Sequence, residues 1–144
     1  MRRVPDPKAT KLMMLSHKPE DWPRLFVEHL ESGDLEAVAA LYAPNARFVG
    51  RSGEIIVGRD RIRDMLTRMT RSKTKLQSRV IKAIGVDDVG VLYTDFQGTT
   101  MDASEKTMDV RYNAVEALRQ QPDCWKLIVS DPNGRERDAI RLPS

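Results

Sequence analysis

From Gly33 to Met69 the apolar positions change their period, and each change marks an element. Leu35, Val38, Ala39 and Tyr42 recur at helical spacing, which predicts a short helix over 34–42 with one apolar face. Gly33 can adopt the left-handed conformation that ends a preceding helix, and Asp34 can cap the next one. Pro44-Asn45 then stops it. Arg47-Phe48-Val49 and Ile55-Ile56-Val57 flank Arg51-Ser52-Gly53 and read as a short hairpin. After Gly58, the residues Ile62, Met65, Leu66 and Met69 restore a 3.6-residue period over 59–70. Upstream, Pro19-Glu20-Asp21 opens a helix whose apolar stripe is Trp22, Leu25, Phe26, His29 and Leu30.

Downstream the pattern turns to strands. Residues 75–84 and 86–97 are β-rich around Gly85, with Asp87-Asp88 nearby as turn formers. A polar break, Gly98 to Lys106, precedes an alternating run from Thr107 to Arg119. Trp125 to Val129 forms a last strand, ended by Asp131-Pro132-Asn133-Gly134. The expected fold is α+β, a curved and mainly antiparallel sheet wrapped around three N-terminal helices. Residues 1–18, rich in Pro, Lys and Arg without a period, read as an N-terminal arm. Residues 19–134 form a single domain, and 135–144 a polar tail. Alternation puts Tyr112, Ala114, Glu116 and Leu118 on the more apolar face of their strand, and Gly90, Leu92, Thr94 and Phe96 on that of theirs. Val91, Tyr93, Asp95 and Gln97 share the opposite face.

Composition narrows the function classes. The chain has 144 residues, 40% hydrophobic and 31% charged, which suits one soluble globular domain. One cysteine, Cys124, cannot form an internal disulfide, and no apolar run reaches membrane-spanning length, so a cytoplasmic location is expected. The net charge of +3 owes much to Arg59, Arg61, Arg63, Arg68, Arg71, Lys73 and Lys75. Asp60 and Asp64 interrupt this run and no aromatic residue lies within it, so it reads as a solvated helix face rather than a nucleic-acid footprint. Two histidines and one cysteine at unrelated spacings, and no glycine-rich loop, predict neither a metal site nor a cofactor.

Three stretches carry a resemblance: SGDLEAVAALYAPNARFV, the Gly58-Arg59-x-x-Ile62 helix opening, and ALRQQPDCWKLIVSDP. In order and spacing, the run from about Glu20 to Asn133 resembles the NTF2-like superfamily, particularly its SnoaL-like and ketosteroid-isomerase-like members. The resemblance implies a cone with an apolar pocket between sheet and helices, and a homodimer through the outer sheet face. Ketosteroid isomerases use a tyrosine on the first helix, an aspartate base after the first strand and a protonated aspartate on a later strand. Here those positions fall on Phe26, Gly50 and Glu116. One of three groups survives, as a homologue, so isomerisation by the usual residues is not expected.

Glu116 is the leading chemical candidate, because a carboxyl among apolar neighbours has a raised pKa and can donate, accept or transfer a proton. The competing expectation is that it pairs with an arginine. His29, on the inward stripe, is the second candidate. Trp22, Phe26, Tyr42, Phe48, Met65, Leu66, Met69, Leu92, Phe96, Tyr112 and Leu118 are expected around the pocket. The expected ligand is a small apolar molecule. Two functions fit this pattern: a ligand-binding protein whose pocket carries one acidic group, and a cofactor-independent isomerase, lyase or hydrolase using Glu116 with His29.

Overall fold

Helix α1 (Trp22–Ser32), entered through a 3-10 turn at Pro19–Asp21, ends at Gly33, whose φ of 77° lets the chain reverse. There Gly33 N donates to Leu30 O and Asp34 N to His29 O, both at 3.1 Å, which satisfies the last carbonyls of the helix. Asp34 then caps α2 (Leu35–Ala40) by accepting from Ala37 N at 3.0 Å. The computed structural model describes residues 16–122 and 124–136. Strand β1 (Tyr42–Val49), strand β2 (Ile55–Val57) and helix α3 (Arg59–Arg71) follow. Four long strands complete the chain: β3 (Lys75–Val86), β4 (Val89–Met101), β5 (Thr107–Gln120) and β6 (Trp125–Asp131).

The six strands form one curved sheet in the order β2-β1-β6-β5-β4-β3. All neighbours are antiparallel except β1 and β6, which run parallel, so the sheet is mixed. Register shifts at Tyr42/Arg47, Val80/Lys82 and Ala117/Leu118 bend it. Gly98 sits so close to β3 that a Cβ would lie 1.8 Å from Lys75 O. The concave face packs against Trp22, Leu25, Phe26 and Leu30 of α1 and Ile62 and Leu66 of α3, and these close the core over Leu76, Leu92, Phe96, Leu118 and Leu127.

Tyr42 departs from the sequence expectation. It continues the helical spacing of α2 but opens β1, where it pairs with Leu127 of β6. Tertiary hydrogen bonds outweigh local periodicity here. Leu41 O accepts from Leu127 N (3.0 Å) and Trp22 Nε1 (2.8 Å), and Tyr42 O accepts from Arg59 Nε (3.0 Å) and Nη2. Pro44 does not stop a helix either; it sits exposed within β1, in the interval where pairing with β6 lapses and no N–H is needed. The turn between the next strands falls at Asp87-Asp88, the turn formers expected from the sequence, with Asp87 at φ 50°, and Gly85 lies within β3. The packed body also exceeds the expected 19–134. Ser16 is buried and its carbonyl accepts from Trp125 N at 2.7 Å, while Arg135 N donates to Asn113 O at 3.0 Å. The rest of the expected arm and tail lies outside the described residues.

On the convex face, where pairing of two copies is expected, Arg135 donates to Asp95 Oδ1 (2.6 Å) and Ala114 O (3.1 Å) and lies over the Tyr93 ring. Ile84 and Val129 are exposed on the same face.

Candidate functional site

Between the concave face of the sheet and helices α1 and α3 lies a cavity of about 730 Å³. That is within the usual range of about 300–1,000 Å³ for small-molecule sites. Its walls follow from the packing just described. Trp22 stacks on Phe26 with ring centroids 5.3 Å apart and meets Tyr42 edge-on at 5.4 Å, and Phe26 meets Phe96 edge-on at 6.1 Å. On the helix side, Met65, Leu66 and Met69 recur at α3 spacing and face this aromatic wall. Phe48 and Tyr112 complete the apolar lining.

Glu116 is the acidic group of this cavity, 1% exposed, on the inner face of β5. Its cross-strand neighbours are Leu92 on β4 and Ser130 on β6, and Ser130 also reaches the cavity. Burial raises its pKa from the ordinary 4.5 to about 7, against smaller opposing effects from the Thr94 hydroxyl and the Arg135 charge. Thr94 is near enough to favour the charged form, yet neither Thr94 Oγ1 nor Glu116 Oε1 has a hydrogen-bond partner among the described residues. Among the described residues no arginine forms an ion pair with Glu116, and Arg135 donates instead to Asp95 and Ala114 O. Tyr42 feels the same carboxyl. Burial first, and then the charge of Glu116, push its hydroxyl well above the usual tyrosine range. Tyr112 is also raised by burial, an effect that Arg51 partly offsets.

An apolar cavity under a curved sheet, with one buried carboxyl on its wall, raises the question of kinship. Residues 24–121 match the SnoaL-like domain family. The chain belongs to that family. Solved structures agree on an NTF2-like fold. A ketosteroid isomerase-like protein from Erwinia carotovora atroseptica superposes with a TM-score of 0.69 at 15% identity, over 84% of this chain and 93% of that one. An NTF2-like protein with a cystatin-like fold from Novosphingobium aromaticivorans gives 0.65 at 11% identity, over 77% and 75%. A protein described as a calcium/calmodulin-dependent protein kinase II association domain, from Xanthomonas campestris, gives 0.63 at 21% identity, over 81% and 86%. No curated protein matches this SnoaL-like chain in sequence.

The structure gathers Trp22, Phe26, Tyr42, Phe48, Met65, Leu66, Met69, Phe96, Tyr112 and Glu116 around one cavity. It does not bring three of the expected residues there. Leu92, directly opposite Glu116 on β4, and Leu118 are fully buried in the core. His29 is buried in the last turn of α1, a turn past Phe26, and does not line the cavity. Phe26 and Gly50, the other two positions carried over from ketosteroid isomerase, both line it and bring no polar side chain. Sequence reasoning missed the mouth, formed by Arg51, Glu54, Arg61, Asp64, Arg68, Asp109, Arg111 and Glu136. Arg61, Asp64 and Arg68 recur at helical spacing with Met65, and that was the available signal. The basic run is partly structural, since Arg59 holds Tyr42 O and Arg63 pairs with Glu36. Among the described residues no group of His, Cys, Asp and Glu could hold a metal ion, and no helix is long and apolar enough to cross a membrane.

Proposed function

We propose that this SnoaL-like protein binds a small, largely apolar molecule with a polar group that meets Glu116. The observation that carries this reading is the unpartnered Glu116 Oε1 on the wall of a cavity that is charged at its mouth and lined inside by aromatic and methionine side chains. A buried polar atom left unpaired costs about 1–3 kcal/mol, which a ligand hydroxyl or carbonyl placed there recovers. Methionines suit a pocket that adapts to an irregular ligand. The test uses 4-propylphenol and propylbenzene, which differ in one hydroxyl. Calorimetry is expected to show the phenol bound about tenfold more tightly, and Glu116→Leu is expected to abolish that preference. Absence of binding by both probes, or a preference that survives Glu116→Leu, would overturn the reading.

A second reading is favoured by one observation, a carboxyl that ionises near neutral pH beside an open cavity. Glu116 then transfers a proton, as in a cofactor-independent isomerase, lyase or hydrolase, but without His29. It predicts that wild-type protein, and not Glu116→Gln, accelerates deuterium exchange beside the carbonyl of 2-tetralone in D2O. Equal rates for the two proteins would restrict the site to binding.

A further inference from the structure

Of the carboxyl groups at the mouth of the cavity, one owes its placement to a side chain that is absent. Gly50 is buried on the cavity wall directly after β1. Its φ is not among the positive ones, so backbone conformation alone does not call for glycine. Space does. A Cβ on residue 50 would lie 2.0 Å from Glu54 Oε1, 2.3 Å from its Cδ and 2.9 Å from its Cγ. The Glu54 carboxyl therefore fills the volume that any side chain at position 50 would occupy.

The β1–β2 turn holds it there. Gly50 N donates to Glu54 O at 2.8 Å, and Gly53 N donates to Gly50 O at 3.0 Å, with Gly53 at φ 86°. Ser52 N donates to Glu54 Oε2 at 3.0 Å. One oxygen is thus anchored. Glu54 is exposed at the rim; among the described residues no hydrogen bond reaches Oε1 and Glu54 joins none of the ion pairs, so this oxygen is open to water or to a ligand. Both Gly50 and Glu54 face the cavity that holds Glu116. The mouth also carries Arg51, Arg61, Arg68 and Arg111 against Asp64, Asp109 and Glu136 beside Glu54 itself. These charges balance, so the mouth offers an ion no net attraction, and a carboxylate oxygen accepts a short, strong hydrogen bond from a neutral O–H or N–H donor.

We propose that Glu54, presented over the bare backbone of Gly50, is the second polar anchor of the cavity. The ligand is then a small apolar molecule with two neutral polar groups, one at Glu116 and a hydroxyl or amide N–H that donates to Glu54 Oε1. This rests on the reading that Glu116 receives the first group.

The test compares 4-alkylphenols with 4-(ω-hydroxyalkyl)phenols of matching chain length by calorimetry, from two methylenes to five. In the wild type, one chain length is expected to show a three- to tenfold advantage for the added hydroxyl. That ratio is expected to fall to about one in Glu54→Ala. It should fall equally in Gly50→Ala, which keeps every charge and only displaces the carboxyl. A ratio near one at every length in the wild type, or a ratio that survives both substitutions, would overturn the proposal. Should Gly50→Ala fail to fold, Glu54→Ala decides alone. Failure of all the simple alkylphenols to bind is a separate result, which removes the Glu116 reading and this one with it.

Discussion

Glu116→Gln is expected to stabilise the protein above neutral pH and to leave its stability nearly unchanged in mild acid. The folded protein holds the Glu116 proton up to about pH 7, whereas the unfolded chain releases it near 4.5. Between those values the native state binds one proton more than the unfolded state, so stability falls as pH rises through this window. At about 1.36 kcal/mol for each tenfold difference in proton affinity, the loss above pH 7 amounts to roughly 3 kcal/mol. Below pH 4.5 both states are protonated at this site, and its contribution is fully present. Glutamine keeps the shape and removes the titration. Urea unfolding at pH 5 and pH 8 should therefore show a gain for the variant of at most about 1 kcal/mol at pH 5 and roughly 3 kcal/mol at pH 8. A constant difference between the two proteins across this range would mean that Glu116 ionises in the ordinary carboxylate range.

Gly98→Ala is expected to be the most damaging small substitution in the sheet. The methyl group would meet the Lys75 carbonyl oxygen at 1.8 Å, its carbon at 2.8 Å and Leu76 Cα at 3.0 Å, all of them backbone atoms. No side chain can swing aside. Relief requires β3 to move away from β4 where Leu76 pairs with Gly98, and Leu76 is a core residue lining the cavity. The cost should reach the upper end of overpacking effects, about 3 kcal/mol or more. Thermal unfolding would show it as a large drop in midpoint, with loss of phenol binding in whatever folded protein remains. Gly134→Ala is the control: its added methyl meets Val115 Cγ2 at 3.0 Å and the Asp131 carboxyl at 3.2 Å, side chains that can yield, so a smaller loss is expected. Equal losses in the two variants would contradict this account of the Gly98 contact with β3.

These two residues also show what the sequence could and could not reveal. Glu116 was legible because strand alternation is strict: its face follows from Tyr112, Ala114 and Leu118 without knowledge of the partner strands. The helix caps at Gly33 and Asp34 were legible because capping is local chemistry. Tyr42 was misplaced because hydrogen bonds from Trp22, Arg59 and Leu127 to the Leu41-Tyr42 carbonyls arise only in the assembled fold. His29 shares the stripe of Trp22 and Phe26, but a helical stripe says which side is buried and not where along the helix a cavity ends. Leu92 and Leu118 lie on the correct face but are packed into the core, which alternation along one strand does not reveal. Gly98 gave no sign, since its need for space comes from a strand more than twenty residues away in sequence. Glu54 was equally hidden, because its carboxyl reaches the cavity only by lying across Gly50.

The account as a whole rests on Glu116 being a buried, near-neutral carboxyl that a ligand touches. The most direct measurement is a carbon-13 NMR titration of the Glu116 side-chain carboxyl, with and without 4-propylphenol, assigned by comparison with Glu116→Gln. The account predicts a midpoint near pH 7 in the free protein and a displaced midpoint when the phenol is bound. A midpoint in the ordinary glutamate range, or one near 7 that the phenol leaves unmoved, would contradict it.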